Sequence, residues 1–452
     1  MGRITLRQAA EWCGGKIDPK YADVTFLGAS NDSRNIQPGQ LFLALRGARD
    51  GHDFIPMALQ KGAAAVLCSR CDGDYPAIVV EDPRIALGQI AREERRRIGM
   101  KVVGVTGSVG KSTTKEMISC VLGSKYRVEK TPVNHNNDIG MPMAVLSMSE
   151  DTEVAVLEMG MNHFREIAYL ASIALPDVAV IVNIGTMHIE HLGSQEGILK
   201  AKLEILEGMK EDGKVILNGD DQLLWNVRKT GVKATYFGTR NPECQVLGAD
   251  VQEADGTLSF RVKCDSGEIP VCLALEGGHF VSDALAAVSV GLAMDVPPEQ
   301  IRTALEAFQN MAGRQEILQK GGYTIIKDCY NAGPESMAAA LNVLGNRTGR
   351  RLAVLGDMLE LGMCAAAEHY RIGRIAAEKA DIVLAYGPNS SRVVSGALTG
   401  GMPAAKARGF EDREALVTAL KQMAKPGDVM LFKGSHGMHM EVVLEQFLKE
   451  EA

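Results

Sequence analysis

From Lys101 onward the chain repeats one pattern: a run of consecutive apolar residues, a glycine-containing turn, then a stretch with apolar residues at helical spacing. The runs are VVGVTG (102–107), VAVLEMG (154–160), DVAVIVNIG (177–185) and GKVILNGDD (213–221). Strands buried on both faces read as continuous apolar text, and their alternation with helices predicts a parallel sheet. Residues 235–275 read differently, because TLSFRVKC and EIPVCLAL are strand-like pieces separated by Gly, Asp and Ser, which predicts an antiparallel patch. After a helical stretch to about Asn310 the rhythm resumes four times, with strands in YTIIKDC, RLAVLGD, DIVLAYG and DVMLFKG and helices from Glu335, Ala365, Arg413 and Met440. Four such units make a small open α/β domain of Rossmann-like type. Upstream, residues 1–98 mix short apolar runs with the turn text NDSRNIQPGQ and GARDGHD, and end in the charged helical pattern PRIALGQIAREERRRIG. The expectation is an α/β protein of three domains: a small one over 1–98, a central parallel-sheet one over 99–312 and a third over 313–452.

Composition narrows the class of protein more than its chemistry. A chain of 452 residues suits two to four domains, each with its own core. A hydrophobic share of 46% and a charged share of 23% are those of a compact globular protein. Net charge is -7, so no basic excess points to nucleic acid or acidic lipid as the main partner. The opening MGRITLRQAAEWCGG lacks the apolar core of a signal peptide, and no run approaches the ~18 residues of a membrane span, so a cytoplasmic protein is expected. Nine scattered cysteines suggest reduced thiols. Cys68 and Cys71 form one CxxC, but no second pair completes a zinc site and Cys68 closes the apolar run AAAVLC, which favours structural thiols.

Chemistry enters at GVTGSVGKSTT (104–114). The apolar run 102–105 leads into Thr106, Gly107, Ser108, Val109, Gly110, Lys111, Ser112 and Thr113, and a helix is expected from Lys115. Strand, glycine loop and helix in that order suit a phosphate: loop N–H groups curl around the anion and the helix N-terminus adds its positive end. Lys111 would reach the outer phosphates and Ser112 would offer its hydroxyl to Mg²⁺. The general GxxxxGK[ST] pattern is matched imperfectly, since Val105 stands at its first glycine. A bare turn is the bland alternative, and no NKxD guanine-reading motif accompanies the loop.

TGSVGKSTTKEM, together with NDSRNIQPGQLFLALRGARDGHDFI, TPVNHNNDIGMP, DCYNAGPESM, LGDMLELG and FKGS, resembles the Mur ligases, which assemble the peptide of the bacterial cell-wall precursor. The resemblance runs in order along nearly the whole chain and is strongest to the branch acting on UDP-N-acetylmuramoyl-tripeptide. It implies that the first domain holds the nucleotide sugar, the central one holds ATP, and the third closes over ATP and the dipeptide D-alanyl-D-alanine. It further implies that ATP activates the tripeptide carboxylate as an acyl phosphate, which the dipeptide amine attacks, in a monomeric enzyme.

Residue roles follow from the same resemblance. Glu158 would share Mg²⁺ with Ser112, His188 would be a metal-binding histidine, and Lys202 would be the lysine that carbamylation turns into a metal ligand. Lys111, His188 and Lys202 are the catalytic candidates. His279 and Asp283 of GGHFVSDALAA, Arg314 of the Gly313-Arg314 pair, and Asp328 would serve ATP. Ser33, Arg34, Asn134, Asn136, Asn137, Tyr330 and Asn331 would serve the other substrates. For Glu158 and Lys202 a solvated surface role is the plain alternative, and for Arg314 an interdomain one. The chain departs from the family at Val133, usually glycine, at Asp283, usually asparagine, and at His436 and His439, often arginine. An ionised acid accepts but cannot donate as an amide does, so Asp283 changes the adenine contact expected there. Two rival readings are a paralogous ligase with another amine or carboxylate, and an ATP-driven switch that ligates nothing.

Overall fold

The computed structural model describes residues 4–254, 256–311 and 313–449, so the expected boundary at residue 312 and the chain ends fall outside the described residues. In chain order the strands are β1 (Ile4–Thr5), β2 (Thr25–Phe26), β3 (Ala29–Ser30), β4 (Leu41–Leu43), β5 (Ala65–Cys68), β6 (Ala77–Val79), β7 (Lys101–Thr106), β8 (Val128–Lys130), β9 (Val154–Glu158), β10 (Val178–Ile181) and β11 (Lys214–Asn218). They continue as β12 (Ala234–Gly238), β13 (Val246–Ala254), β14 (Thr257–Cys264), β15 (Gly267–Leu273), β16 (Glu316–Lys320), β17 (Tyr323–Asp328), β18 (Arg351–Gly356), β19 (Ile382–Tyr386), β20 (Ala407–Phe410) and β21 (Val429–Lys433). A β1-β2 ribbon and a four-stranded parallel sheet, β3-β4-β5-β6, precede the helix Pro83–Ile98.

The central sheet has nine strands in the order β15-β14-β13-β12-β11-β10-β7-β9-β8, parallel from β8 to β13 and antiparallel from β13 to β15. The parallel core is the continuous apolar text: every residue of β9 and β10 is buried. In β14 and β15 burial alternates, because only one face meets the core. After β9 the chain crosses to the other flank of β7, so the ends of β7, β9 and β10 meet where strand order reverses. Crevices at such points, outside the carboxyl ends of the strands, are where α/β proteins bind ligands.

The third sheet runs β16-β17-β21-β18-β19-β20, parallel except for β16. It holds two more strands than the four expected: β16 pairs antiparallel at one edge and β20 is short and half exposed, so neither writes an apolar run. Residues 235–238, expected within the antiparallel patch, belong instead to the parallel strand β12, because its partner is β11. The helix after the phosphate loop starts at Lys111 rather than Lys115. Among the described residues all nine cysteines are free, with Cys68 buried and Cys71 exposed, and no helix is long and apolar enough to cross a membrane.

One buried cation ties the first block to the central sheet. Arg95, on the helix Pro83–Ile98, donates to the carbonyls of Ala174 (2.9 Å) and Leu175 (3.0 Å) and to Asp177 (3.0 Å). Asp177 in turn accepts from the Val102 N–H at the head of β7. Replacing Arg95 with alanine strands those acceptors, and breaking a buried pair typically costs about 3–5 kcal/mol. We expect Arg95→Ala to lower the thermal midpoint by several degrees, measured by calorimetry, whereas the exposed pair Arg7–Asp23 should tolerate alanine with little change.

Candidate active site

The loop after β7 is shaped from both sides. Gly110 caps the helix Lys111–Gly123 at φ 82°, a left-handed conformation, and a Cβ there would come 2.8 Å from Asp283 Oδ1. Asn183, just beyond β10, accepts from the N–H groups of Ser108 (3.0 Å) and Val109 (2.9 Å) and donates to the Val109 carbonyl (2.9 Å). Lys111 folds back, donating from Nζ to the carbonyl of Gly107 at 2.8 Å. Burial lowers its pKa, and the Glu158 carboxylate opposes that shift.

The Ser112 hydroxyl joins two domains. It donates to Glu158 Oε2 at 2.6 Å and accepts from the Arg314 guanidinium at 2.9 Å. Register puts Glu158 there: it lies opposite Val105 where β9 runs beside β7. Its other oxygen accepts from Asn136 Nδ2 at 2.9 Å. Burial alone would raise the Glu158 pKa, but Lys111 and the bonds from Ser112 and Asn136 outweigh it and hold the carboxyl below its ordinary value. Arg314 also stacks over the Tyr330 ring, 4.0 Å from its centroid.

These groups face one cavity of about 890 Å³ between the sheets. It is lined by Ser108, Val109, Gly110, Lys111, Ser112 and Thr113 of the loop, by Asn134, Asn136, Asn137, Glu158, His188, Lys202 and His279 of the central block, and by Arg314, Asp328, Tyr330 and Asn331 beyond it. Thr106 and Gly107 lie underneath rather than on the wall. Ser33 and Arg34 are not brought to this cavity: Arg34 is held by Asp32 (2.9 Å) on the β3 turn of the first block. Asp283 is also kept from it, one helical turn beyond His279 and behind Gly110, where it accepts from Thr114 Oγ1 at 2.7 Å.

Two further candidates have informative surroundings. Lys202 is buried, and among the described residues its side-chain amine has neither hydrogen-bond nor ion-pair partner. Burial, with the charge of Lys111, pulls its pKa well below the ordinary lysine value. His188 sits at φ 63° with Nδ1 2.7 Å from Glu360 Oε2 of the third block. No group of three or more His, Cys, Asp or Glu is gathered to hold a metal among the described residues. Mg²⁺ needs few protein ligands where phosphates supply oxygens, so Ser112 and Glu158 side by side suit it.

Sequence reasoning missed several residues of this region. Asn183 follows an apolar strand run and was legible as a strand-end side chain. Lys115, fully buried with Nζ on the Thr131 carbonyl (2.7 Å), and Lys433, on Asp328 Oδ2 (2.7 Å), gave no sign in sequence of the acceptors they meet. Glu335 and Glu360 belong to quoted motifs, yet their contacts cross between blocks.

Comparison with known proteins decides the family. The Mur ligase middle domain matches residues 105–291, the description "Mur ligase, glutamate ligase domain" matches 313–436, and "Mur ligase family, catalytic domain" matches 24–95. The chain is 39% identical to UDP-N-acetylmuramoyl-tripeptide--D-alanyl-D-alanine ligase of Bacillus subtilis (strain 168), over 99% of each chain. This protein belongs to the Mur ligase family. Among solved structures it resembles a crystal structure of MurF from Acinetobacter baumannii (TM-score 0.91, 31% identity, 100% of each chain). It also resembles MurF of Thermotoga maritima in complex with ADP (TM-score 0.83, 31% identity, 94% of this chain and 97% of that one). The three-part α/β architecture is thus the family's.

Burial pushes the Asp283 carboxyl up to about 7, against the lowering influence of Thr114 and Arg314. Its ordinary value is 3.8. An acid raised in the folded state is easiest to accommodate protonated, so its effect on stability is absent below about pH 4 and destabilising as pH rises toward and through 7. We expect the thermal midpoint to fall between pH 5 and 8 by more in the parent than in Asp283→Asn. Parallel pH curves for the two proteins would remove Asp283 as the cause.

Proposed function

We propose that this ligase joins D-alanyl-D-alanine to UDP-N-acetylmuramoyl-tripeptide at the expense of ATP, yielding the pentapeptide nucleotide, ADP and phosphate. The observation that carries the reading is the Arg314–Ser112–Glu158 chain at the mouth of the phosphate loop, facing one cavity with Lys111 and Lys202. The full-length similarity to the Bacillus subtilis tripeptide ligase supports the choice of substrates. In this reading residues 1–98 hold the nucleotide sugar, 99–312 hold ATP, and 313–452 close over ATP and bring the dipeptide.

The tripeptide carboxylate attacks the γ-phosphorus, ADP leaves, and an acyl phosphate forms. Anions converge in this step, so cations positioned in advance matter more than a strong base. Lys111 leaves the loop carbonyls for the outer phosphates, and Arg314, stacked on Tyr330, supplies a second fixed charge. Ser112 and Glu158 would hold Mg²⁺, which neutralises phosphate charge when bound. His279 flanks the nucleotide, while Asn134, Asn136 and Asn137 reach the sugar and peptide side. Ser33 and Arg34 belong to the nucleotide-sugar end, Asp328 to the ATP side, and Tyr330 and Asn331 to the dipeptide end.

Lys202 fits carbamylation. Carbon dioxide adds only to an unprotonated amine, forming an N–C bond with release of one proton, and the burial of Lys202 together with the charge of Lys111 favours that form. The product is a carboxylate on the cavity wall that Glu158 and His188 also line, a second anionic group for a cation.

Three outcomes test these assignments. Phosphate release should require ATP, the tripeptide nucleotide and the dipeptide together; release with ATP alone at the full rate would replace ligation by a switch. Lys111→Ala should lower kcat by at least about 100- to 1000-fold, the scale for losing a group aimed at developing charge, with an unchanged circular dichroism spectrum. An unaltered kcat would remove Lys111 from the reaction. Lys202→Ala should lose most activity and regain part of it with acetate or propionate but little with bicarbonate, whereas no regain with any carboxylic acid would count against the carbamate.

A further inference from the structure

Glu335 is a carboxylate of the same cavity that the reaction above leaves unused. It stands in the first turn of the helix Pro334–Gly345, in the third block, and leans onto the loop that follows β10. There Oε1 accepts from both the N–H and the hydroxyl of Thr186, each at 3.1 Å. The Gly185 backbone packs so closely that a Cβ on it would stand 2.9 Å from the Glu335 carboxyl carbon. The group is therefore fixed in position by the central block. Its second oxygen, Oε2, is buried and, alone among the buried carboxylate oxygens of the described residues, has no hydrogen-bond partner.

The other acids on the cavity wall are already engaged. Glu158 accepts from Ser112 and Asn136, Asp328 from Lys433 and Gln315, and Glu166 from the backbone at Asn162 and His163. Asp138 pairs with Arg84 at 3.2 Å and is partly open to water. A buried carboxylate oxygen without a donor is unfavourable, and native structures rarely keep one without a reason. A cationic donor arriving with the substrate is such a reason, and of the two peptide substrates the dipeptide must present an amine at the reacting carbon.

We propose that Glu335 is a catalytic residue that receives the ammonium of the incoming dipeptide on Oε2 and takes its proton. This rests on the ligation reading above. The ammonium gives one proton to the carboxylate, leaving a neutral amine and a carboxylic acid. The nitrogen lone pair then forms the C–N bond to the acyl carbon, and the C–O bond to phosphate breaks with its electron pair leaving on phosphate. The second nitrogen proton passes to the departing phosphate, and Glu335 returns its own to water when product leaves.

Glu335→Gln separates this role from mere support, because the amide oxygen can still accept from Thr186 while a donating NH2 group replaces Oε2. Hydroxylamine, already unprotonated at neutral pH, intercepts acyl phosphates as hydroxamates without needing a proton acceptor. With ATP and the tripeptide nucleotide, the variant should form hydroxamate within about threefold of the parent. Its kcat/KM for D-alanyl-D-alanine should fall by about 100- to 10,000-fold, the usual scale for a lost acid–base group, and Glu335→Asp should recover part of that loss. Dipeptide ligation within threefold of the parent, or equal losses in ligation and hydroxamate formation, would overturn the assignment while leaving the ligation reading intact. A parent that forms no hydroxamate would overturn both.

Discussion

The shared hydroxyl of Ser112 is the contact on which the site's arrangement turns. One oxygen donates to Glu158 and accepts from Arg314, so the phosphate loop, the end of β9 and the start of the third block are held at hydrogen-bonding distance in one place. Bonds to charged groups are stronger than neutral ones, and here both partners are charged and sheltered. The site is consequently an interdomain object. Neither the central sheet nor the third sheet makes it alone.

The same logic governs the buried charges around it. Lys115 lies under the loop helix with its ammonium on the Thr131 carbonyl and 4.0 Å from Glu158. Lys433, at the end of β21, reaches Asp328 and the Asn331 carbonyl, fixing the loop that carries Tyr330. A buried charge is tolerable only with partners, so each such residue pins a segment of backbone to a set place. Lys202 and Glu335 break this rule in complementary ways: one is a buried amine with no acceptor, the other a buried carboxylate with an oxygen to spare. Both lie on the cavity wall, where a reaction can use what folding leaves unsatisfied.

Much of the architecture was legible because burial on two faces leaves a plain mark. β7, β9, β10, β18 and β21 are buried, largely apolar runs, and each appears where the text predicts it. The edge strands β16 and β20 were not legible, since a strand buried on one side or hardly at all carries no such run. The helix from Lys111 was placed a turn late because Lys, Ser and Thr look like loop residues until the phosphate-loop geometry makes them its first turn. Among site residues, those in the loop motif announced themselves, and Asn183 could have been read from its place after β10. Glu335, Glu360, Lys115 and Lys433 could not, because their significance lies in what they touch.

By itself the sequence determined the α/β class, the position of the phosphate loop, the family resemblance and the residue types available for phosphate chemistry. These are local or periodic properties, set by neighbours within a few residues or by repeating burial. Only the tertiary structure decided that Arg314 meets Ser112 across 202 positions of chain. It also turned Asp283 away from the cavity and gave Glu335 one satisfied oxygen and one free. Such facts depend on how separate sheets dock, and docking is fixed by packing and charge pairing between segments far apart in sequence, which no spacing along the chain records.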